Sequence, residues 1–255
     1  MPVAYRLPNC IFPIVYYIDL AADPAWAQFS GSVRIELDVV EPTDTVIMHA
    51  RGLVLSEARL NADPVTIEYQ KDTETVRFRS AQTLERGRAE LTVNFEGEPS
   101  QGMHGLYIAQ DGNEKTLATQ CEATDARAIF PCFDEPAFKA SLAWTVRTSS
   151  KMVALANGPL ESVESDGDRK VWRFAPTAPV SSYLAALTIG AYEALDALIS
   201  NRIPLRVWAL EGKQGQTIFA RAFTEQLFPW YEEYFGLPYA YAKYDQVAVP
   251  GFDAG

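Results

Sequence analysis

Residues 30–42 read "SGSVRIELDVVEP", and this stretch decides the fold class. Val33, Ile35, Leu37 and Val39 alternate with Arg34, Glu36 and Asp38, the period of two of a strand with one face in a core and one in water. The same habit recurs outward from it. Leu91, Val93 and Phe95 alternate in "AELTVNFEGE", and "LAWTVRTS" at 142–149 and "RKVWRFAP" around Val171, Trp172 and Phe174 read as further short strands. Turn formers such as "EPT", "NGP" and "SDGD" punctuate them. Many short strands at this spacing predict a mainly β chain, built as a β-sandwich or a large twisted, saddle-like sheet.

The pattern changes near residue 210. Phe219, Phe223, Leu227, Trp230, Tyr231 and Tyr234 recur at steps of three or four, which predicts one apolar face of a helix. Pro229 inside this run predicts a kink or two abutting helical pieces, and Gly236 and Pro238 supply the stop. The tail "KYDQVAVPGFDAG" reads as a short apolar strand entering a glycine-rich turn, cut rather than finished.

Composition excludes several function classes. The 255 residues are 48% hydrophobic and 22% charged, enough apolar mass for a sizeable core. A formal charge of −11, with no Lys/Arg-rich run, opposes phosphate backbones and anionic lipid, so neither nucleic acid nor a membrane is expected as partner. The first twenty residues lack the pattern of a secretory signal, and no apolar run nears the ~20 residues of a bilayer crossing. A cytoplasmic protein is expected. Cys10, Cys121 and Cys132 show no metal or disulfide spacing and have no histidine nearby in sequence, which points to inert thiols. Trp172, Trp208 and Trp230 are expected to pack in the core rather than form a sugar platform.

The segment 119–142, "TQCEATDARAIFPCFDEPAFKASL", resembles a signature of the aminopeptidase N family of zinc metallopeptidases, relatives of leukotriene A hydrolase. "RLPNCIFPIVYYIDL", "GLYIA" at 105–109 and the tail "YFGLPYAYAKYDQVAVPGFDAG" resemble the same family in the same order. The resemblance implies a β-domain at 1–207, then from 208 to 255 a short α/β start of a thermolysin-like catalytic domain. It further implies that Gly255 opens a substrate-binding G-A-M-E-N loop, with the zinc-holding H-E-x-x-H further on. The chain is therefore expected to be inactive alone, with no cofactor of its own and zinc in the parent enzyme. The missing catalytic domain and the amino end of a peptide substrate are the implied partners. A non-catalytic β-sandwich binding or scaffold module from the same family is the alternative.

Within that signature, alternation on a strand would put Gln120 and Glu122 on one face. The resemblance implies that Gln120 lines the first substrate pocket and that Glu122 helps hold the substrate's α-amino group, an ammonium at neutral pH that a carboxylate can grip through a charge-assisted hydrogen bond. On spacing alone, both read as solvated residues on a strand's polar face, since Q-x-E is a common pair. Asp125, Arg127, Asp134 and Glu135 are expected to form a partly buried ionic cluster that positions Glu122, with Arg127 gripping a carboxylate bidentately. Phe130, Phe133 and Phe138 read as core anchors, and Pro131 and Pro136 as stiffeners. Zinc hydrolysis needs two histidines four apart plus a third ligand. His49 and His104, 55 positions apart, do not supply them.

Overall fold

A computed structural model describes residues 6–200 and 203–252. It is mainly β and holds several sheets, as the alternation predicts. The largest sheet has eight strands: β1 (Ile11–Ala21), β2 (Phe29–Val39), β4 (Val54–Leu60), β5 (Asp63–Pro64), β8 (Gly87–Gly97), β11 (Ser141–Ser149), β13 (Leu160–Asp166) and β14 (Arg169–Phe174). Their order is β13-β14-β11-β1-β2-β8-β4-β5, so β1 lies between its sequence neighbour and a strand about 120 residues later. That pairing is parallel, from Val15 opposite Ser141 to Ala21 opposite Arg147. Arg147 fastens it by donating from Nε and Nη2 to the two oxygens of Asp19, each at 2.9 Å.

Alternation does the rest. Val33, Ile35, Leu37 and Val39 are buried, as are Leu91, Val93 and Phe95 on the adjacent β8, where Val33 pairs with Val93 and Ile35 with Leu91. Gly31 on β2 has no room for a side chain, since a Cβ there would stand 2.8 Å from the Phe95 ring and 2.3 Å from the Asp19 carbonyl oxygen. A three-stranded sheet holds β3 (Thr43–His49), β6 (Thr66–Gln70) and β7 (Thr75–Leu84) in the order β3-β7-β6. A four-stranded one orders β12 (Val153–Ala156), β15 (Leu187–Gly190), β10 (Glu114–Gln120) and β9 (Gly105–Asp111).

Between these sheets the segment after β10 drops into the core. Phe130, Phe133 and Phe138 are buried; Phe130 sits edge-on to both Tyr16 and Trp144, and the Tyr16 hydroxyl accepts from the Phe133 N–H at 3.0 Å. Burying such a ring contributes about 1.5–3 kcal/mol, so the three aromatics tie this segment firmly to β1 and β11.

The final sheet comprises β16 (Tyr192–Ala194), β17 (Leu198–Ser200), β18 (Ile203–Leu210) and β19 (Tyr244–Val247), with β19 parallel to β18. Helix α1 (Ile218–Phe235) packs on it and ends at Gly236, whose φ of +65° is the left-handed geometry glycine favours. Two expectations are corrected here. Pro229 lies inside one uninterrupted helix, which removes the two-piece alternative expected for it. The buried face is Thr224 and Phe228, with Phe228 edge-on to Tyr239 and Tyr244, while Phe219, Phe223, Trp230, Tyr231 and Tyr234 are exposed. Trp230 is thus a surface residue, whereas Trp172 is buried. No helix among the described residues is long and apolar enough to cross a membrane.

Candidate functional site

The β9–β10 hairpin carries the residues singled out in the signature. Its ladder ends where Gln120 pairs with Gly105, and beyond that point β10 has no partner. The chain therefore leaves the strand at Cys121 and turns through 122–125. This corrects the premise that Gln120 and Glu122 share a strand face. Gln120 is the last strand residue, half-buried, and its Oε1 accepts from the backbone N–H of Glu122 at 3.1 Å. The Glu122 carboxylate stands exposed on the turn, with no partner among the described residues. Gly105 lets the turn come close: its φ is +61°, and a Cβ there would lie 3.2 Å from the Cβ of Ala128.

A buried polar network holds the turn from below. The Asp125 N–H donates to the Cys121 carbonyl at 2.9 Å, and a 3₁₀ turn, Ala126–Ala128, follows. Arg127 is buried and donates from Nε to Asp134 Oδ2 at 2.9 Å, from Nη2 to the Asp134 carbonyl at 3.2 Å and from Nη1 to Glu74 Oε2 at 3.0 Å. Its grip on Asp134 is shared between a carboxylate oxygen and the backbone, not bidentate on the carboxylate. The other oxygen of Asp134 accepts from Ser182 Oγ at 2.6 Å. Asp125 is instead paired with Arg51, which also faces Glu74. Glu135 joins neither. It anchors the N-terminal segment, accepting from the Leu7 N–H at 2.6 Å and from Arg6 at 3.3 Å.

Three members of this arrangement, Arg51, Glu74 and Ser182, were missed by sequence reasoning, since each reaches Asp125, Arg127 or Asp134 only across a long stretch of chain. His49 and Cys132 exchange backbone hydrogen bonds, and His49 Nδ1 accepts from the Asp134 N–H at 3.3 Å. Burial, reinforced by the neighbouring Arg127 cation, lowers its pKa to about 4, so the ring is neutral near pH 7. Its Nδ1 is committed, while His104 is an exposed residue whose Nε2 meets Ser100 Oγ at 3.0 Å. Neither fits as a zinc ligand, and no group of three His, Cys, Asp or Glu side chains suited to a metal occurs among the described residues. Cys121 and Cys132 are buried free thiols whose pKa values are pushed up chiefly by burial and then by Asp134, which keeps them protonated and poorly nucleophilic. Gly255 lies outside the described residues.

With this geometry in place, the comparison with known proteins is specific. Residues 12–184 match the Peptidase M1 N-terminal domain. The chain belongs to the M1 peptidase family. Its relatives include a puromycin-sensitive aminopeptidase of Caenorhabditis elegans, 31% identical over 98% of this chain and 28% of that protein. Aminopeptidase M1-A of Oryza sativa subsp. japonica is 32% identical over 98% of this chain and 30% of its own length. Endoplasmic reticulum aminopeptidase 1 of Homo sapiens is 30% identical, again over 98% of this chain and 28% of its own. The chain thus spans between a quarter and a third of these M1 relatives, and the matched portion is N-terminal-domain sequence.

Proposed function

We propose that this M1 chain is the N-terminal part of a zinc-dependent aminopeptidase, capping one side of the active-site cleft and binding the free amino end of a peptide. Gln120 borders the first side chain, and Glu122 pairs with the substrate ammonium. One observation carries the reading: an exposed, unpaired carboxylate sits on a turn whose underside is anchored by the buried Arg127–Asp134 pair. The anchored backbone fixes where this carboxylate projects, so on meeting a cation only the side chain's own rotamers remain to be ordered. Gly255 belongs to the substrate loop in this proposal, and the zinc ligands belong to the longer protein. Asp125, Arg127 and Asp134 act by positioning the turn, and Glu135 by fixing the N-terminal segment beside it.

The remaining partner is the rest of the catalytic domain. The aromatic face of α1, with Phe219 77% and Tyr234 68% exposed, is the surface it would cover. Because β18 runs through residue 207 and α1 packs on its sheet, we place the start of this second, α/β unit nearer Tyr192 than residue 208. A cytoplasmic location remains our proposal.

The test uses the longer protein. Glu122→Ala is expected to raise KM for substrates with a free amino end by about tenfold to a hundredfold, the loss of one charge-assisted contact. An unchanged kcat/KM would return Glu122 to a solvated turn. A non-catalytic binding module of the same family would instead bind free-amino peptides, lose that binding in Glu122→Ala, and show no turnover in the longest natural chain.

A further inference from the structure

On β10, Ala118 shares a face with Gln120, and it pairs across the hairpin with Tyr107. Tyr107 and Ala118 form one floor of a cleft of about 370 Å³ between the β9/β10/β15/β12 sheet and the C-terminal segment. Leu155, Leu187, Val247 and Phe252 give it apolar walls. Gln120 and Glu122 do not line it.

The polar groups of this cleft are unevenly spent. Tyr107 is 4% exposed, and its hydroxyl has no hydrogen-bond partner among the described residues. Leaving such a group unpaired costs about 1–3 kcal/mol, which a bound acceptor would recover. Lys243 uses two of its three N–H donors, on the Ala156 carbonyl and on Asp245 Oδ2, each at 2.6 Å. The side-chain acceptors beside them each already take one hydrogen bond, which leaves them weaker attractors than the unspent donors. Asp245 Oδ1 accepts from Trp208 Nε1 at 2.9 Å, Asn157 Oδ1 from the Ala186 N–H at 2.7 Å, and Thr119 Oγ1 from the Leu187 N–H at 2.9 Å. A wall with unspent donors and partly spent acceptors selects a ligand that accepts. Because Asp245 already neutralises Lys243, an uncharged acceptor is favoured over a second carboxylate, whose desolvation would go uncompensated.

We propose that this cleft is a binding site for a small apolar molecule carrying a carbonyl acceptor, seated between Tyr107 and Lys243 and separate from the Gln120–Glu122 position. Val249 packs on the Tyr107–Ala118 floor and the Tyr107 hydroxyl is closed to solvent, so this floor must open for the ligand to reach it. Burial raises the Tyr107 pKa to about 12, so the phenol keeps its proton to donate.

The experiment titrates the 255-residue chain with 4-phenyl-2-butanone and with 3-phenylpropylamine, a donor cation of similar shape, following backbone amide NMR shifts. Saturable millimolar binding of the ketone is expected, with shifts at residues 107, 118, 155–157 and 243–249. Tyr107→Phe, which removes only the unpaired hydroxyl, should weaken it by about tenfold, the value of one recovered hydrogen bond. Glu122→Ala should leave it unchanged. Absence of saturation, equal or tighter binding of the amine, or an undiminished affinity in Tyr107→Phe would each overturn the proposal. Equal weakening by Glu122→Ala would also overturn it, by merging the cleft with the amine-end site. The reading of Glu122 as an ammonium partner rests on KM in the longer protein and stands or falls separately.

Discussion

Arg127→Met isolates the buried network, because methionine keeps much of the apolar stem and removes every side-chain donor. The side chains of Arg127 and Asp134 are 9% and 1% exposed, so the variant leaves a carboxylate with almost no access to water. Asp134 retains Ser182 Oγ at 2.6 Å and the Arg127 backbone N–H at 3.3 Å, but loses the guanidinium at 2.9 Å. The contact with Glu74 adds less, about 1 kcal/mol, because that carboxylate is 36% exposed and partly screened by solvent. Removing one partner of a buried pair costs about 3–5 kcal/mol. With an unfolding entropy of about 2.1 cal/mol/K per residue, 255 residues give about 0.5 kcal/mol per degree, so Tm should fall by about 6–9 °C. Thermal unfolding followed by tryptophan fluorescence reads this directly. The double variant Arg127→Met/Asp134→Asn should recover part of the loss, since the stranded charge is gone. A fall in Tm of less than about 2 °C, or a double variant no better than the single, would refute the account of a desolvated pair.

Other outcomes follow from the same geometry. His49 has a folded pKa near 4 against an ordinary value of 6.5, so the unfolded chain takes up its proton first as pH drops. Stability is therefore unaffected by His49 above pH 6.5 and is lost as pH falls from 6.5 toward 4, by up to about 3 kcal/mol. His49→Gln, compared with the parent in urea titrations across that window, should remove this component. A Cβ at Gly158 would stand 1.9 Å from the Ala175 carbonyl oxygen, so Gly158→Ala should cost at least about 1–3 kcal/mol in the same assay. The isolated chain should associate through the exposed aromatic face of α1, and Trp230→Glu should shift light scattering toward monomer.

Local pattern made the large sheet legible. Residues 33–39 and 91–95 announce their faces because each strand has one wet and one dry side, and both strands deliver that alternation. Helix α1 was legible as a helix but not in its orientation. Its period marks an aromatic face correctly but cannot say what that face meets, and here Phe228 faces β18 while Phe219 and Tyr234 face outward. The turn at Glu122 was hidden for another reason. Gln120 and Glu122 continue an alternating spacing, but β9 begins at Gly105, and a strand cannot outrun the neighbour that supplies its hydrogen bonds. Arg127 announced a charged cluster, yet Arg51, Glu74 and Ser182 reach it only through the tertiary fold.

The parallel contact of β1 with β11 sets the order in which this molecule can be assembled. While the chain is being synthesised, β1, β2, β4 and β8 can associate early, but the inner edge of β1 must wait until residues 141–147 have emerged. Closing a loop of that size is slow compared with hairpin formation. During that interval an apolar, unpaired edge lies open to other nascent chains, so slowed translation between β8 and β11 should raise aggregation more than the same pause placed after β14.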